Sequence, residues 1–110
     1  LLSMILEMNS FETMKALNGS EALKAAQEKP LHAALLDIML PDMDGMEVCR
    51  QLRADRATAQ MAILMITASA EVNLEQEGLK AGADRVLRKP ITMQTLKAEL
   101  DGVLRHRGII

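Results

Sequence analysis

Three polar side chains follow three short segments that are typical of strands, and their chemical types are complementary. They are Asp37 after 33–36, Thr67 after 63–66 and Lys89 after 85–88. A carboxylate such as that of Asp37 can attack phosphorus as a nucleophile and form an acyl phosphate. Because charge on a transferring phosphoryl group spreads over its oxygens, the amine of Lys89 and the hydroxyl of Thr67 would stabilise that charge. The three residue types together predict phosphoryl-transfer chemistry.

The loop after Asp37 is a candidate contributor to a metal site. Magnesium near a phosphoryl group is held by carboxylate and carbonyl oxygens, and a backbone carbonyl of this loop would suit it. Asp42 and Asp44 in the loop are interpreted as a turn acid and a helix cap rather than as ligands. Taken singly, the three polar residues also have plain interpretations, as a turn acid, a β-branched strand residue and a surface lysine.

The pattern of apolar residues predicts where these side chains lie. It indicates a helix, or the end of one, over Leu1–Met8, followed by four strand–helix pairs. Strands are predicted at 11–17, 33–36, 63–66 and 85–88, and helices at 21–29, 45–53, 71–80 and from 93 onward with an apolar stripe at 93, 96, 100, 103 and 104. Ser20, Asp44 and Thr92 are the predicted N-caps, and Gly82 is a predicted helix stop.

Strands that alternate with helices imply an α/β fold with a doubly wound, mostly parallel sheet and helices on both faces. Ligands of such sheets bind beyond the carboxyl ends of the strands. Asp37, Thr67 and Lys89 are therefore predicted to share one edge of the sheet.

Composition excludes several classes of protein. The 110 residues suit a single domain over 1–110, and the net charge of −2 argues against a surface for nucleic acid. The longest apolar run is too short to cross a membrane, and the first residues do not read as a signal peptide. The single cysteine, Cys49, is interpreted as a buried thiol in a reducing compartment. The nine methionines are interpreted as core residues, with an exposed methionine-lined binding face as the alternative.

The segment LLDIMLPDMDG, residues 35–45, closely resembles the phosphoacceptor segment of the response regulator receiver domain. The pairs Thr67-Ala68 and Lys89-Pro90 begin 30 and 52 residues after Asp37 (67 − 37 and 89 − 37), spacings similar to those of that family. The segments AGAD, at 81–84, and NGSEAL, at 18–23, resemble it as well. The resemblance covers essentially the whole chain and implies a flavodoxin-like receiver fold.

The resemblance implies a role for each matching residue in two-component signalling. Asp37 would accept a phosphoryl group from a phosphohistidine, and it would bind Mg²⁺ together with the backbone carbonyl of Met39. Lys89 would pair with the phosphoryl group, and its bond to Pro90 is expected to be cis. Thr67 would move toward a phosphoryl oxygen, and with Ala68 and Val86 it would reset the face formed by the last two helices and last strand.

Two features depart from the family pattern. The family opens with a strand, in the middle of the sheet, that ends in a pair of metal-binding acids; no such strand or pair is predicted before Asp37. We expect that strand to be truncated or to lie in a disordered segment, or else to be supplied by another chain. The last strand commonly carries an aromatic residue three positions before the lysine, and here that position is Val86.

The expected partners are a sensor histidine kinase or phosphotransfer protein and a downstream effector protein or domain. Neither direct nucleic-acid binding nor membrane association is expected; the expected location is the cytoplasm, and a homodimer is left open. The chain is expected to be a switch rather than an enzyme. The alternative is a pseudo-receiver, an interaction module that is not phosphorylated. A phosphatase of the haloacid dehalogenase type would need an acid where Met39 stands, and neither G-x-G-x-x-G nor a P-loop occurs.

Overall fold

The computed structural model describes residues 3–6, 13–16, 19–28, 33–37, 45–68 and 73–109. Within these ranges strands and helices alternate along most of the chain. The elements are β1 Ser3–Leu6, β2 Thr13–Ala16, α1 Gly19–Glu28, β3 Ala33–Asp37, α2 Gly45–Ala54, β4 Ala62–Thr67, α3 Asn73–Ala81, β5 Arg85–Arg88 and α4 Met93–His106. The four predicted strand–helix pairs are confirmed as β2–α1, β3–α2, β4–α3 and β5–α4.

The strands form one sheet in the order β2-β1-β3-β4-β5. β3, β4 and β5 are parallel, whereas β1 runs antiparallel to both of its neighbours. β2 and β3 therefore point the same way, so that four of these five strands share one direction. The predicted α/β class with a mostly parallel, doubly wound sheet is confirmed.

The helix predicted over Leu1–Met8 is wrong, because Ser3–Leu6 is a strand in the middle of the sheet. Met4, Ile5 and Leu6 pair with β3 on one side and with β2 on the other. A short apolar run fits a buried strand as well as a helix by periodicity alone. The deciding factor is long-range, because without β1 the facing N–H and C=O groups of β2 and β3 would lack partners.

Two apolar clusters cover the two faces of the sheet. On one face α1, α2 and α3 pack on residues that include Leu36, Ile63 and Met65. On the other face α4 packs on Leu35 and Leu64. Adjacent strand residues belong to opposite clusters because successive side chains of a strand point to opposite faces. The prediction of helices on both faces is thus confirmed.

Of the described methionines, Met46, Met61 and Met65 are buried, which supports their interpretation as core residues. Met93 is 73% exposed, so the apolar stripe predicted for α4 is wrong at that position and begins at Leu96. Position 93 is the first residue of α4, and Leu96 is the first residue of this helix in the apolar cluster on that face. Cys49 is fully buried and free, as predicted.

The predicted helix ends are confirmed at some positions and wrong at one. The Thr92 hydroxyl accepts a hydrogen bond from the Thr95 N–H at 3.1 Å and so caps α4. Gly82, with φ +115°, ends α3 in a conformation that favours glycine. Ser20 is not a cap, since α1 begins one residue before it at Gly19. Asp44, the predicted cap of α2, lies outside the described residues.

A partly buried ion network lies near the amino ends of β4 and β5. The Asp84 carboxylate accepts hydrogen bonds from Arg53 at 3.0 Å, Arg107 at 2.8 Å and the Ile63 N–H at 2.8 Å. Arg53 also donates to the Gly82 carbonyl at 2.8 Å. Burial lowers the pKa of Arg53 and Arg107 adds to this effect, whereas Asp84 opposes it. The network joins α2, α4 and the turn before β5 to the start of β4.

Candidate functional site

The carboxyl ends of β3, β4 and β5 form the candidate site. Asp37, the last residue of β3, pairs with Ile66 of β4, and Thr67, the last residue of β4, pairs with Arg88 of β5. Neighbouring strands lie roughly 4.8 Å apart, so the backbones of β3 and β5 are separated by about 10 Å. The register thus brings the ends of three consecutive parallel strands to one edge of the sheet.

Thr67 and Lys89 are joined directly through the backbone. The Lys89 N–H donates a hydrogen bond to the Thr67 carbonyl oxygen at 2.7 Å, which extends the β4–β5 pairing one residue beyond β5. The Lys89–Pro90 peptide bond is cis, the conformation that the resemblance implied. Thr67 is only 2% exposed, whereas Lys89 is exposed. A buried hydroxyl and an exposed amine therefore lie on adjacent strand ends.

The Thr67 side chain lies on the α3 side of the sheet. Met65 and Ile63, two and four residues before it, belong to the cluster covered by α1, α2 and α3. Because strand side chains alternate between the two faces, Thr67 points to the same side. Ala68, the next residue, is exposed. Val86, the remaining predicted switch residue, is partly buried and packs against that same cluster.

Other predicted site residues are placed only in part. For Asp37 the structure gives the backbone position at the end of β3, and Met39, Asp42 and Asp44 lie outside the described residues. Within the described ranges, no group of three His, Cys, Asp or Glu side chains is arranged to hold a metal ion.

Arg88 is a basic residue at the same edge of the sheet, and the sequence analysis did not predict it as a site residue. It is exposed and pairs with Thr67 across the β4–β5 ladder. Its position directly before Lys89 is the only signal in the sequence. The site edge therefore carries two consecutive basic residues, which favours an anionic ligand there.

Comparison with known proteins identifies the architecture. The family described as the response regulator receiver domain matches residues 1–101. The chain belongs to this receiver-domain family. It is therefore the receiver domain of a two-component response regulator, a class of signalling switch.

Several relatives of this receiver domain are known. The transcriptional regulatory protein SrrA of Staphylococcus aureus is 40% identical over 106 residues, which cover 96% of this chain and 43% of SrrA. The chemotaxis protein CheY4 of Vibrio cholerae superposes with a TM-score of 0.80 at 33% identity, covering 86% of this chain and 79% of CheY4. A structure described as the BeF3-activated DrrB receiver domain superposes with a TM-score of 0.72 at 30% identity, covering 81% of this chain and 73% of that one.

This receiver domain spans less than half the length of SrrA. In the parts of the domain that the structure describes, none of the helices has the length and apolar character needed to span a membrane.

Proposed function

We propose that this receiver domain is a phosphoacceptor switch, with Asp37 as the residue that accepts a phosphoryl group from a phosphohistidine of a sensor histidine kinase or phosphotransfer protein. The observation that carries the proposal is the alignment of three strand ends, in which Asp37 ends the strand beside Thr67 and the Lys89 N–H bonds to the Thr67 carbonyl. This order of strand ends supports the site chemistry predicted from residue types.

The proposed reaction exchanges one phosphorus bond for another. A carboxylate oxygen of Asp37 forms a bond to phosphorus as the bond from phosphorus to the histidine nitrogen breaks, and the electron pair leaves with the imidazole. The product is an acyl phosphate on Asp37. The ammonium group of Lys89 would balance the added negative charge, and the Thr67 hydroxyl would donate a hydrogen bond to a phosphoryl oxygen.

The proposed output is a change of surface rather than a further chemical step. Thr67 ends the strand that lies beside β5, and its side chain is on the α3 side of the sheet. A movement of Thr67 toward a phosphoryl oxygen would therefore be transmitted to α3 and β5, and through them to an effector protein or domain. We propose the cytoplasm as the site of this signalling, consistent with the unpaired thiol of Cys49.

The central test is the covalent modification of Asp37. We expect the protein at its natural length to incorporate acid-labile phosphate from a phosphorylated histidine kinase, and the Asp37→Asn variant to incorporate none. Asp55→Asn is the matched control, because Asp55 lies in the turn after α2, where its carboxylate accepts the Ala57 N–H at 3.0 Å. Labelling that persisted in Asp37→Asn would refute the site assignment.

The alternative function is a pseudo-receiver that binds a partner without being phosphorylated. It is favoured by the sequence before Asp37, where no pair of metal-binding acids is predicted to end a strand. Beryllofluoride, a phosphoryl mimic, separates the two functions when added with magnesium to the protein at its natural length. The phosphoacceptor function predicts shifts of amide resonances around residues 67 and 89, whereas the alternative predicts an unchanged spectrum.

A further inference from the structure

At Gly78 the backbone of helix α3 packs directly on the strands of the sheet, with no side chain between them. A Cβ atom built on Gly78 would lie 2.6 Å from Cγ2 of Val86 and 3.3 Å from Sδ of Met65. The first distance is shorter than real Cβ contacts, so even alanine does not fit at position 78 unless Val86 or α3 moves. Glycine weakens a helix interior, and the close approach explains its presence here.

The two residues beneath Gly78 are neighbours in the sheet. Met65 of β4 pairs with Val86 of β5, and both belong to or pack against the cluster under α3. Met65 lies two residues before Thr67 on the same face of β4, and Val86 lies three residues before Lys89. The contact surface of α3 is therefore formed by β4, which ends at Thr67, and by β5, which Lys89 follows.

The end of α3 is tied to the same glycine. The Ala83 N–H donates to the Gly78 carbonyl oxygen at 3.0 Å, and the Gly82 N–H donates to the Leu79 carbonyl at 3.1 Å. Gly78 thus belongs to the last turn of the helix, directly before the turn that leads to β5. A shift of Gly78 away from the sheet would move this turn as well.

We propose that Gly78 and Val86 are a positioning pair, whose direct contact holds α3 in its unphosphorylated position on the sheet. On phosphorylation, α3 itself moves relative to the small side chain of Val86. Val86 stays in place and does not act as a rotating switch residue. This inference rests on the proposed function, because it names the regulation of the same site.

The first test measures coupling between the two positions and needs no phosphorylation. We expect Gly78→Ala to lower the melting temperature of the protein at its natural length, although alanine is the better helix former. In a Val86→Ala background, Gly78→Ala should leave the melting temperature unchanged or raise it, because the obstructing Cγ2 methyl group of Val86 is absent. Gly102→Ala in α4 is the control, because a Cβ there meets nothing within 4 Å, and it should raise the melting temperature in both backgrounds.

Each outcome of the first test supports or overturns the proposed contact between Gly78 and Val86. A Gly78→Ala protein that fails to fold while the double variant folds supports the pair. The proposed contact is overturned if Gly78→Ala raises the melting temperature as Gly102→Ala does. It is also overturned if the double variant fails to fold.

The second test distinguishes a positioning role from a purely structural one. We expect Gly78→Ala to lower the beryllofluoride concentration at the midpoint of the amide-resonance shift by about fivefold, because weakening the contact favours any arrangement in which α3 has moved. Gly78→Ala with Val86→Ala should return toward the parent midpoint, and Gly102→Ala should not change it. An unchanged midpoint in Gly78→Ala overturns the inference. If the parent protein does not respond to beryllofluoride at all, the proposed phosphoacceptor function fails, while the coupling measured in the first test still stands.

Discussion

At the residue scale, Lys89 is the site residue whose removal should separate function from folding. It is exposed and follows β5, and its backbone N–H, which a substitution to alanine retains, makes the bond to Thr67. We therefore expect Lys89→Ala to change the free energy of unfolding by only about 0.5 kcal/mol while uncoupling phosphorylation from partner activation. Lys80→Ala, at the exposed end of α3, is the control, measured by chemical denaturation and by a partner-binding assay. Normal activation of the partner by Lys89→Ala would count against its role.

Cys49 gives a prediction about pH. Burial raises the pKa of its thiol to about 11, and the nearby Arg53 opposes this with a smaller effect. An unfolded thiol has a pKa near 8.5, so the folded state keeps its proton where the unfolded state loses it. This contribution to stability is complete below about pH 8 and is lost as the pH rises toward 11.

The pH prediction is tested by comparing the parent with Cys49→Ala. The free energy of unfolding of the parent should fall more steeply between pH 8.5 and 11, measured by urea denaturation, and iodoacetamide should label the folded parent slowly at pH 8. Parallel pH profiles for the two proteins would contradict the prediction.

The candidate site shows how far residue types can predict function. Asp37, Thr67 and Lys89 could be singled out because each of them directly follows a predicted strand segment, and the fold class places the ends of such strands together. Arg88 could not, since a basic residue within a short strand carries no distinguishing pattern. Gly78 could not be singled out either. A glycine is needed there because α3 contacts Val86 on another element, and the spacing of residues along the chain does not indicate such a contact.

At the scale of elements, the Asp84 network holds helices to the sheet. Arg53 lies in α2, Arg107 follows α4, and the Ile63 N–H belongs to β4, so one carboxylate joins three elements. Its ion pairs are 13–22% exposed, which reduces the effect expected for fully buried pairs. We expect Asp84→Ala to lower the free energy of unfolding by about 2–4 kcal/mol, because it leaves two arginines near each other and an unpaired N–H.

The matched control for Asp84→Ala is Glu99→Ala. Glu99 pairs with Arg85 at 3.5 Å, and both side chains are much more exposed, at 39% and 49%. Exposed pairs contribute little, so this variant should lose less than about 1 kcal/mol. Equal losses in the two variants, measured by urea denaturation, would show that the Asp84 network does not hold the elements together.

Helix ends differ in how well the sequence predicts them. The N-cap at Thr92 was predictable because its hydroxyl accepts a hydrogen bond from the N–H of a residue only three positions away. The helix end at Gly82 was predictable because a positive φ favours glycine. The start of α1 at Gly19 rather than after Ser20 was not, since serine also fits the first turn of a helix. Local chemistry therefore defines α4 and the end of α3 more sharply than it defines α1.

At the scale of the whole molecule, the shared direction of β2, β3, β4 and β5 follows from the alternation of strands and helices, but the direction of β1 does not. Four strand–helix pairs require parallel strands, because each helix returns the chain to the same end of the sheet. β1 joins β2 without a helix in the described residues, so no crossover fixes its direction. Its four residues are apolar except for one serine, a pattern that a helix shares.

The antiparallel central strand gives a prediction for the 110-residue chain. Ile5 pairs with Met14 of β2 and with Ala34 of β3, whereas Ser3 pairs only with β2 and begins the strand. Proline removes a ladder donor and is tolerated at the first residue of a strand but not in a central one. We therefore expect Ile5→Pro to lower the free energy of unfolding by about 3 kcal/mol or more, and Ser3→Pro by much less. Urea denaturation measures both losses, and cross-strand Hα–Hα NOEs between β1 and β3 report the pairing directly. Sequential amide–amide NOEs through residues 3–6, the signature of a helix, would contradict this topology, because they would return the segment to the form that its apolar pattern first predicts.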